Sequence, residues 1–280
     1  MGDLLEHPKV ARRQAELAGR SFRRIVSLVP SLSESLVALG LGDRLVGVTE
    51  YCVEPPGAFA GLAKVGGTKD ADVEAILALR PDLVIANQEE NTARVVGRLV
   101  DRGVDVWVSY PRSVREGAEL LRELAGLGAS PEHVARVVDP VFAALEQAEI
   151  RRHEDRAAGR QGLRVFCAIW RNPWMTVAGD TYIHDLIELC GGANVFANDG
   201  GGRRYPIVDW AVIEAAAPEV ILLPSEPYCF GGAERRELLA LDCPAAASDR
   251  IHLIDGTLVS WYGPRIVEAI RVLGRLLAIS

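Results

Sequence analysis

Two distant stretches of the chain repeat one plan, and that repeat limits the fold more than any other feature. Pro81 is followed by Asp-Leu-Val-Ile-Ala-Asn-Gln-Glu89, and Pro218 by Glu-Val-Ile-Leu-Leu-Pro-Ser-Glu226. In each, a helix-period segment leads into the proline, an apolar run of strand length follows, and a glutamate stands eight residues beyond the proline. Short continuous apolar runs are the mark of strands buried on both faces, as in parallel sheets covered by helices. RIVSLVP (24–30), RLVGVT (44–49), VDVWVS (104–109), LRVFCAIW (163–170) and RIHLIDG (250–256) read the same way, with helix-period segments between them. This alternation calls for βαβ units. The expected fold class is α/β, with two Rossmann-like lobes of similar plan.

Strand-like runs are missing from Ser113 to about Gly159. Ser130-Pro131-Glu132 reads as an N-cap followed by proline at the first helical position. Helical spacing then continues into the charged run EIRRHEDRAAGR, predicting about 27 residues and a rod of roughly 40 Å, with a kink or break at Pro140. The domain expectation is a polar N-terminal extension (1–23), a first α/β lobe (24–112), an interlobe backbone helix (113–160) and a second α/β lobe (161–280). Within the first lobe, Ser31 and Glu34 read as a capping box. Trp107, inside a strand, reads as core.

Bulk properties exclude several functions. A formal net charge of −7 and a pI near 5.4 argue against nucleic acid as a partner, since phosphate binding needs a basic face. No run approaches the ~18 apolar residues that cross a bilayer, so no membrane insertion is expected. The first residues, MGDLLEHPKVARRQ, show no apolar core of a secretory signal. Five cysteines (52, 167, 190, 229, 243), odd in number and without CxxC spacing, suit a reducing compartment. These features predict a cytoplasmic protein, or a periplasmic one if a leader has been removed. No Ser/His/Asp or Cys/His arrangement, HExxH or phosphate loop is visible, so no catalytic residues and no metal ligands are assigned.

RIVSLVPSLSESLVALGLGDRLVGVTEYC, VGGTKDADVEAILALRPDLVIA and SWYGPRIVEAIRVL together resemble the helical-backbone metal receptors. These are the substrate-binding proteins for cobalamin, ferric siderophores and haem in ABC importers. The resemblance spans about residues 24–280 and is closest to the cobalamin-binding members. It implies two α/β lobes linked by a backbone helix, a ligand cleft between them, and cobalamin or another metal chelate as bound ligand without a covalent cofactor. It also implies permease docking through one surface glutamate per lobe. Glu74 matches the first of these, but Ala211 occupies the second position, which argues against a permease partner.

Ligands of open α/β sheets bind beyond the carboxyl ends of strands. WRNPW follows such an end and concentrates two of the chain's five tryptophans. Trp170, Arg171, Trp174, Arg204, Tyr205, Glu226, Tyr228 and Trp261 are therefore the candidate ligand-binding residues of the second lobe, and Tyr51, Glu89 and Tyr110 those of the first. Ring faces suit a planar or macrocyclic ligand, while Arg171, Arg203 and Arg204 suit its carboxylates. The glycine-rich stretch 198–206 reads equally as a mobile lip or as an ordinary loop. His184 reads as structural, though it is the one histidine placed to act as an axial ligand. The leading expectation is a non-catalytic cytoplasmic carrier or sensor of a corrinoid. The alternatives are an importer subunit for cobalamin, ferric siderophore or haem, and an enzyme using Glu89 or Glu226 as a base.

Overall fold

The computed structural model describes residues 4, 9–12, 14–17, 20–198 and 202–278. The chain divides into two compact units. The first lobe comprises residues 1–111, 118–140 and 262–264; the second comprises 112–117, 141–261 and 265–280.

In the first lobe the elements run β1 (Ile25–Ser27), α1 (Pro30–Ala38), β2 (Leu45–Val48), β3 (Ala63–Lys64), α2 (Val73–Ala78), β4 (Leu83–Asn87), α3 (Ala93–Asp101) and β5 (Val106–Ser109). Among the described residues these strands form one parallel sheet in the order β3-β2-β1-β4-β5, with Ile25 in register with both Leu45 and Leu83. β1, β4 and β5 are buried throughout, as their unbroken apolar runs require. Trp107 on β5 is fully buried, and its indole nitrogen donates to the Arg12 carbonyl at 3.3 Å. The N-terminal segment pairs with this edge strand, Ala11 donating to Val106 and accepting from Val108, and Leu4, Val10 and Leu17 are buried. Pairing of this kind covers a strand edge that would otherwise present open hydrogen-bonding groups.

The expected capping box at α1 does not form. The helix begins at Pro30 with Val29 at the N-cap, a residue without a side-chain acceptor, and Ser31 is already inside the first turn. Pro30 accounts for the earlier start, because its fixed φ suits the first helical position and its missing N–H is no loss there.

Three helical segments follow: α4 (Val114–Ala125), α5 (Pro131–His133) and α6 (Asp139–Ala157). Ser130 caps α5 by accepting from the His133 N–H. Val134–Val138 form a widened π-type turn between α5 and α6, so the helical path is continuous from Pro131 to Ala157. Of the kink or break expected at Pro140, the break does not occur, since the helix runs on through it. Proline lacks an N–H and crowds the preceding turn, and a widened turn just before it relieves both conflicts.

The second lobe contains β6 (Leu163–Cys167), α7 (Tyr182–Leu189), β7 (Gly192–Asn194), α8 (Trp210–Ala215), β8 (Val220–Pro224), α9 (Gly232–Leu238), α10 (Pro244–Ala247), β9 (Ile251–Ile254), α11 (Thr257–Ser260) and α12 (Ile266–Leu276). Among the described residues its parallel sheet runs β7-β6-β8-β9, the order of β2-β1-β4-β5 in the first lobe. The repeat reaches side-chain detail. Asp72 caps α2 and Asp209 caps α8. Arg24 donates to the carbonyls of Leu79 and Arg80, and Arg164 to those of Ala216 and Ala217, closing the helix end before each proline. Arg80 and Ala217, the residues before the two prolines, both adopt positive φ. No helix among the described residues is long and apolar enough to cross a membrane.

Candidate binding site

In the first lobe, Tyr51, Glu89 and Tyr110 lie just beyond the carboxyl ends of β2, β4 and β5 respectively. Tyr51 is 61% exposed, while Glu89 and Tyr110 are half-buried. The Glu89 turn is held by Asn87, whose side-chain oxygen accepts the N–H groups of Glu89 and Glu90. Asn91 locks the same turn, donating to the carbonyls of Leu28 and Thr68 and accepting from the Asn87 N–H. Buried amides satisfied in this way make a stiff strand end. The Glu89 carbonyl also accepts from the Lys69 ammonium. Sequence reading passes over Val53, which is 62% exposed near Tyr51 and has no pattern to mark it.

In the second lobe, WRNPW is a tight hairpin. Ile169 and Met175 are joined at 2.9 Å and Met175 and Trp170 at 3.1 Å through their backbones, and residues 171–174 turn the chain with Asn172 in the left-handed region. Asparagine tolerates that conformation better than most residues. Residues 204–208 extend the pairing, with Thr176, Ala178 and Val208 bonded to Pro206, Arg204 and Trp174.

This pairing separates the two tryptophans. Trp170 is 42% exposed and meets Tyr228 edge-on at 5.7 Å. Trp174 is only 6% exposed and stacks on Phe230 at 5.7 Å and 3° inside the core of the lobe. Its expected place on a ligand-facing surface is therefore corrected to the interior. Arg171 is likewise engaged inward. Its guanidinium lies 5.0 Å from the Trp174 ring and donates to Glu237 at 3.1 and 2.6 Å. Neither Phe230 nor Glu237 carries a local signal that would reveal these roles.

Trp261 is also inside. Its indole nitrogen donates to Glu226 at 3.0 Å, and the Arg265 guanidinium lies 4.8 Å from its ring. Glu226 is half-buried, and burial raises its carboxyl above the ordinary range despite the opposing hydrogen bond from Trp261. Gly256 packs so tightly here that a β-carbon would come within 2.7 Å of the Glu226 Cβ. Arg204 donates to the Asp180 carbonyl at 2.7 Å and lies beside the Tyr205 ring. Tyr205, Ile207 and Trp170 remain exposed, with Tyr228 half-buried beside them. Ile207, joined to the hairpin through Met175, was missed because a single apolar residue in a loop has no period. Arg203 is exposed. The glycine-rich stretch lies partly outside the described residues, at 199–201.

His184 sits on α7 with its Nδ1 3.3 Å from the Asn194 amide, half-buried among Asp185, Glu188 and Arg152. Among the described residues no group of three or more His, Cys, Asp or Glu side chains is placed to hold a metal ion. Glu74 is exposed on α2 and pairs with Arg98 and Arg102 at 2.9 and 3.4 Å. Ala211 holds the same place on α8, two residues after the capping aspartate.

Among the described residues the arrangement offers exposed rings at strand ends. The chain matches the family described as periplasmic binding protein over residues 25–236. It is 31% identical over 211 residues to a vitamin B12-binding protein of Yersinia pestis, covering 74% of this chain and 71% of that one. The crystal structure of periplasmic vitamin B12-binding protein BtuF of Vibrio cholerae superposes with a TM-score of 0.76 at 26% identity, covering 91% of this chain and 96% of that one. The periplasmic heme-binding protein RhuT from Roseiflexus, in apo form, gives 0.74 at 27% identity, over 92% and 98% of the two chains. All three relatives are named as binding proteins.

Proposed function

We propose, from the premise that this chain belongs to the periplasmic binding protein family, that it binds a flat metal chelate of the corrinoid class. The observation that carries this reading is the exposed Trp170, edge-on to the half-buried Tyr228, with the exposed Tyr205 and Ile207 at the carboxyl-end loops of the same lobe. A ring edge and face left open to solvent next to stiff hairpin backbone present apolar area at little entropic cost. Tyr51, Glu89 and Tyr110 occupy the corresponding strand ends of the first lobe. Relatives named for vitamin B12 and heme support a macrocyclic ligand.

Relatives named as periplasmic support the importer-subunit reading over the cytoplasmic carrier. One observation favours the carrier: Ala211 stands where the repeat places the counterpart of Glu74. Fractionation of cells expressing the protein at native level separates the two locations, and capture by a membrane transporter tests the subunit reading directly. Ligand binding is tested by titrating cyanocobalamin, haem and a ferric siderophore while following tryptophan fluorescence. The expected result is saturable binding of cyanocobalamin that Trp170→Ala weakens by about 1–3 kcal/mol. Equal affinity in parent and Trp170→Ala would show that the ring pair is not the ligand surface.

A further inference from the structure

A cavity of about 360 Å³ lies in the second lobe away from the exposed rings. It is bounded by the end of α6, the Gly162 approach to β6, the Cys190–Ala193 turn into β7, and α12. Gly162 and Gly192 stand at the amino ends of β6 and β7, whereas Trp170 and Tyr228 follow the carboxyl ends of β6 and β8. The volume falls in the range of small-molecule sites.

Its lining joins two chemistries. Leu189, Ala193, Ile270 and Leu277 supply apolar surface, and four guanidinium groups, from Arg151, Arg152, Arg156 and Arg160, face two carboxylates, from Asp155 and Glu188. This local surplus of positive charge stands on a chain whose formal charge is −7. Arginines near the end of α6 complement the helix dipole, and that explains some of the bias. It does not explain the unused donors. Glu188 pairs with Arg152 and Arg156, Asp155 with Arg160, and Asp185, which is outside the lining, with Arg152. Arg151 is exposed and has no hydrogen-bond or ion-pair partner among the described residues, so its donors are open to an incoming group. The Arg152 Nε is buried without a hydrogen-bond partner among them. The charge of Arg152 is answered through its terminal nitrogens by Asp185 and Glu188, but a buried donor nitrogen left without a hydrogen bond is costly unless something else satisfies it.

Gly274 adds an independent observation. Gly162 and Gly192 are required by packing, since a β-carbon on either would strike neighbouring atoms within 3 Å. Gly274, inside α12, has nothing within 4 Å of the place a β-carbon would take. Glycine inside a helix costs about 1 kcal/mol relative to alanine, and here no neighbour demands it. Its effect is to leave the cavity open.

We propose that this cavity is a second binding site, for a small organic anion that combines an oxyanion group, phosphate or carboxylate, with a compact apolar body. The oxyanion meets Arg151 and the Arg152 Nε, and the apolar body lies on Leu189, Ile270 and Leu277. Charge-assisted contacts of arginine with such groups are short and directional.

The test uses the full chain and isothermal titration with phenyl phosphate, benzoate, phenol and inorganic phosphate. One phenyl phosphate or benzoate per chain is expected to bind, whichever oxyanion the site prefers, with phenol and inorganic phosphate each about tenfold weaker because each lacks half of the complement. Arg151→Gln is expected to weaken binding about tenfold. Gly274→Leu fills the space and is expected to abolish binding while leaving the melting temperature unchanged or higher. Cyanocobalamin titration should be the same in both variants and in the parent. No saturation by either anion at millimolar concentration, or equal binding in the parent and both variants, overturns the proposal.

Discussion

Replacing Trp174 by alanine tests the placement of the hairpin rings. The indole stacks on Phe230 with a 3° interplanar angle, lies beneath the Arg171 guanidinium at 5.0 Å, and belongs to a core cluster with Phe166, Ile213, Ile221 and Leu223. Truncating a ring of this size in a packed core costs about 3–5 kcal/mol, a figure that already includes the lost stacking. For a chain of this length each kcal/mol corresponds to a fall of about 2–4 °C in melting temperature, so Trp174→Ala should melt about 6–20 °C below the parent. Trp174→Phe, which keeps a ring against Phe230, should lose less. Trp170→Ala, at a site open to solvent on one face, should melt within about 2 °C of the parent. Thermal unfolding followed by far-ultraviolet circular dichroism measures all three. If Trp174→Ala melts with the parent while Trp170→Ala unfolds early, the hairpin is threaded the other way and the assignment of its two faces is wrong.

Further outcomes follow from other sites. Gly256→Ala places a β-carbon against the Glu226 backbone and Cβ, atoms that cannot swing aside, and should cost about 1–3 kcal/mol in urea unfolding while shifting the NMR signal of the Trp261 indole N–H. Arg24→Ala and Arg164→Ala each remove hydrogen bonds to two carbonyls at a helix end, and should destabilise by similar amounts, about 1–2 kcal/mol, because the repeat gives them the same partners. Of the five free thiols only Cys229 is exposed, so a thiol reagent at pH 8 should label one rapidly in the native protein and all five in denaturant. Burial pushes the thiols of Cys167 and Cys190 from 9.0 up to about 12. The unfolded chain therefore loses these protons first, and stability should fall as pH rises from 9 toward 12, a loss that Cys167→Ala and Cys190→Ala should reduce.

Much of the fold was legible in local pattern. Continuous apolar runs after Pro81 and Pro218 could only be strands buried on both faces, and their alternation with helix-period segments required parallel sheets. The glutamates eight residues beyond each proline marked the two strand ends, because a fixed helix-loop-strand length carries both segments the same distance. Element boundaries were less legible: Pro30 rather than Ser31 starts α1, and the widened turn before Pro140 depends on relief of crowding within the helix itself.

The direction of each side chain at the strand ends was not legible. Trp170 and Trp174 share a loop, a residue type and a distance from β6, and nothing local distinguishes them. Backbone pairing of Trp170 with Met175 and of Trp174 with Val208 sets which ring turns inward, and Phe230, from a distant loop, supplies the face on which Trp174 stacks. Arg171 is drawn inward by Glu237 and Trp261 by Glu226 in the same manner. Periodicity records how a segment meets its own sheet or helix. Partners far away in sequence decide the rest, because a loop side chain settles where it finds packing or a hydrogen bond, and those exist only once the strands have brought the loops together.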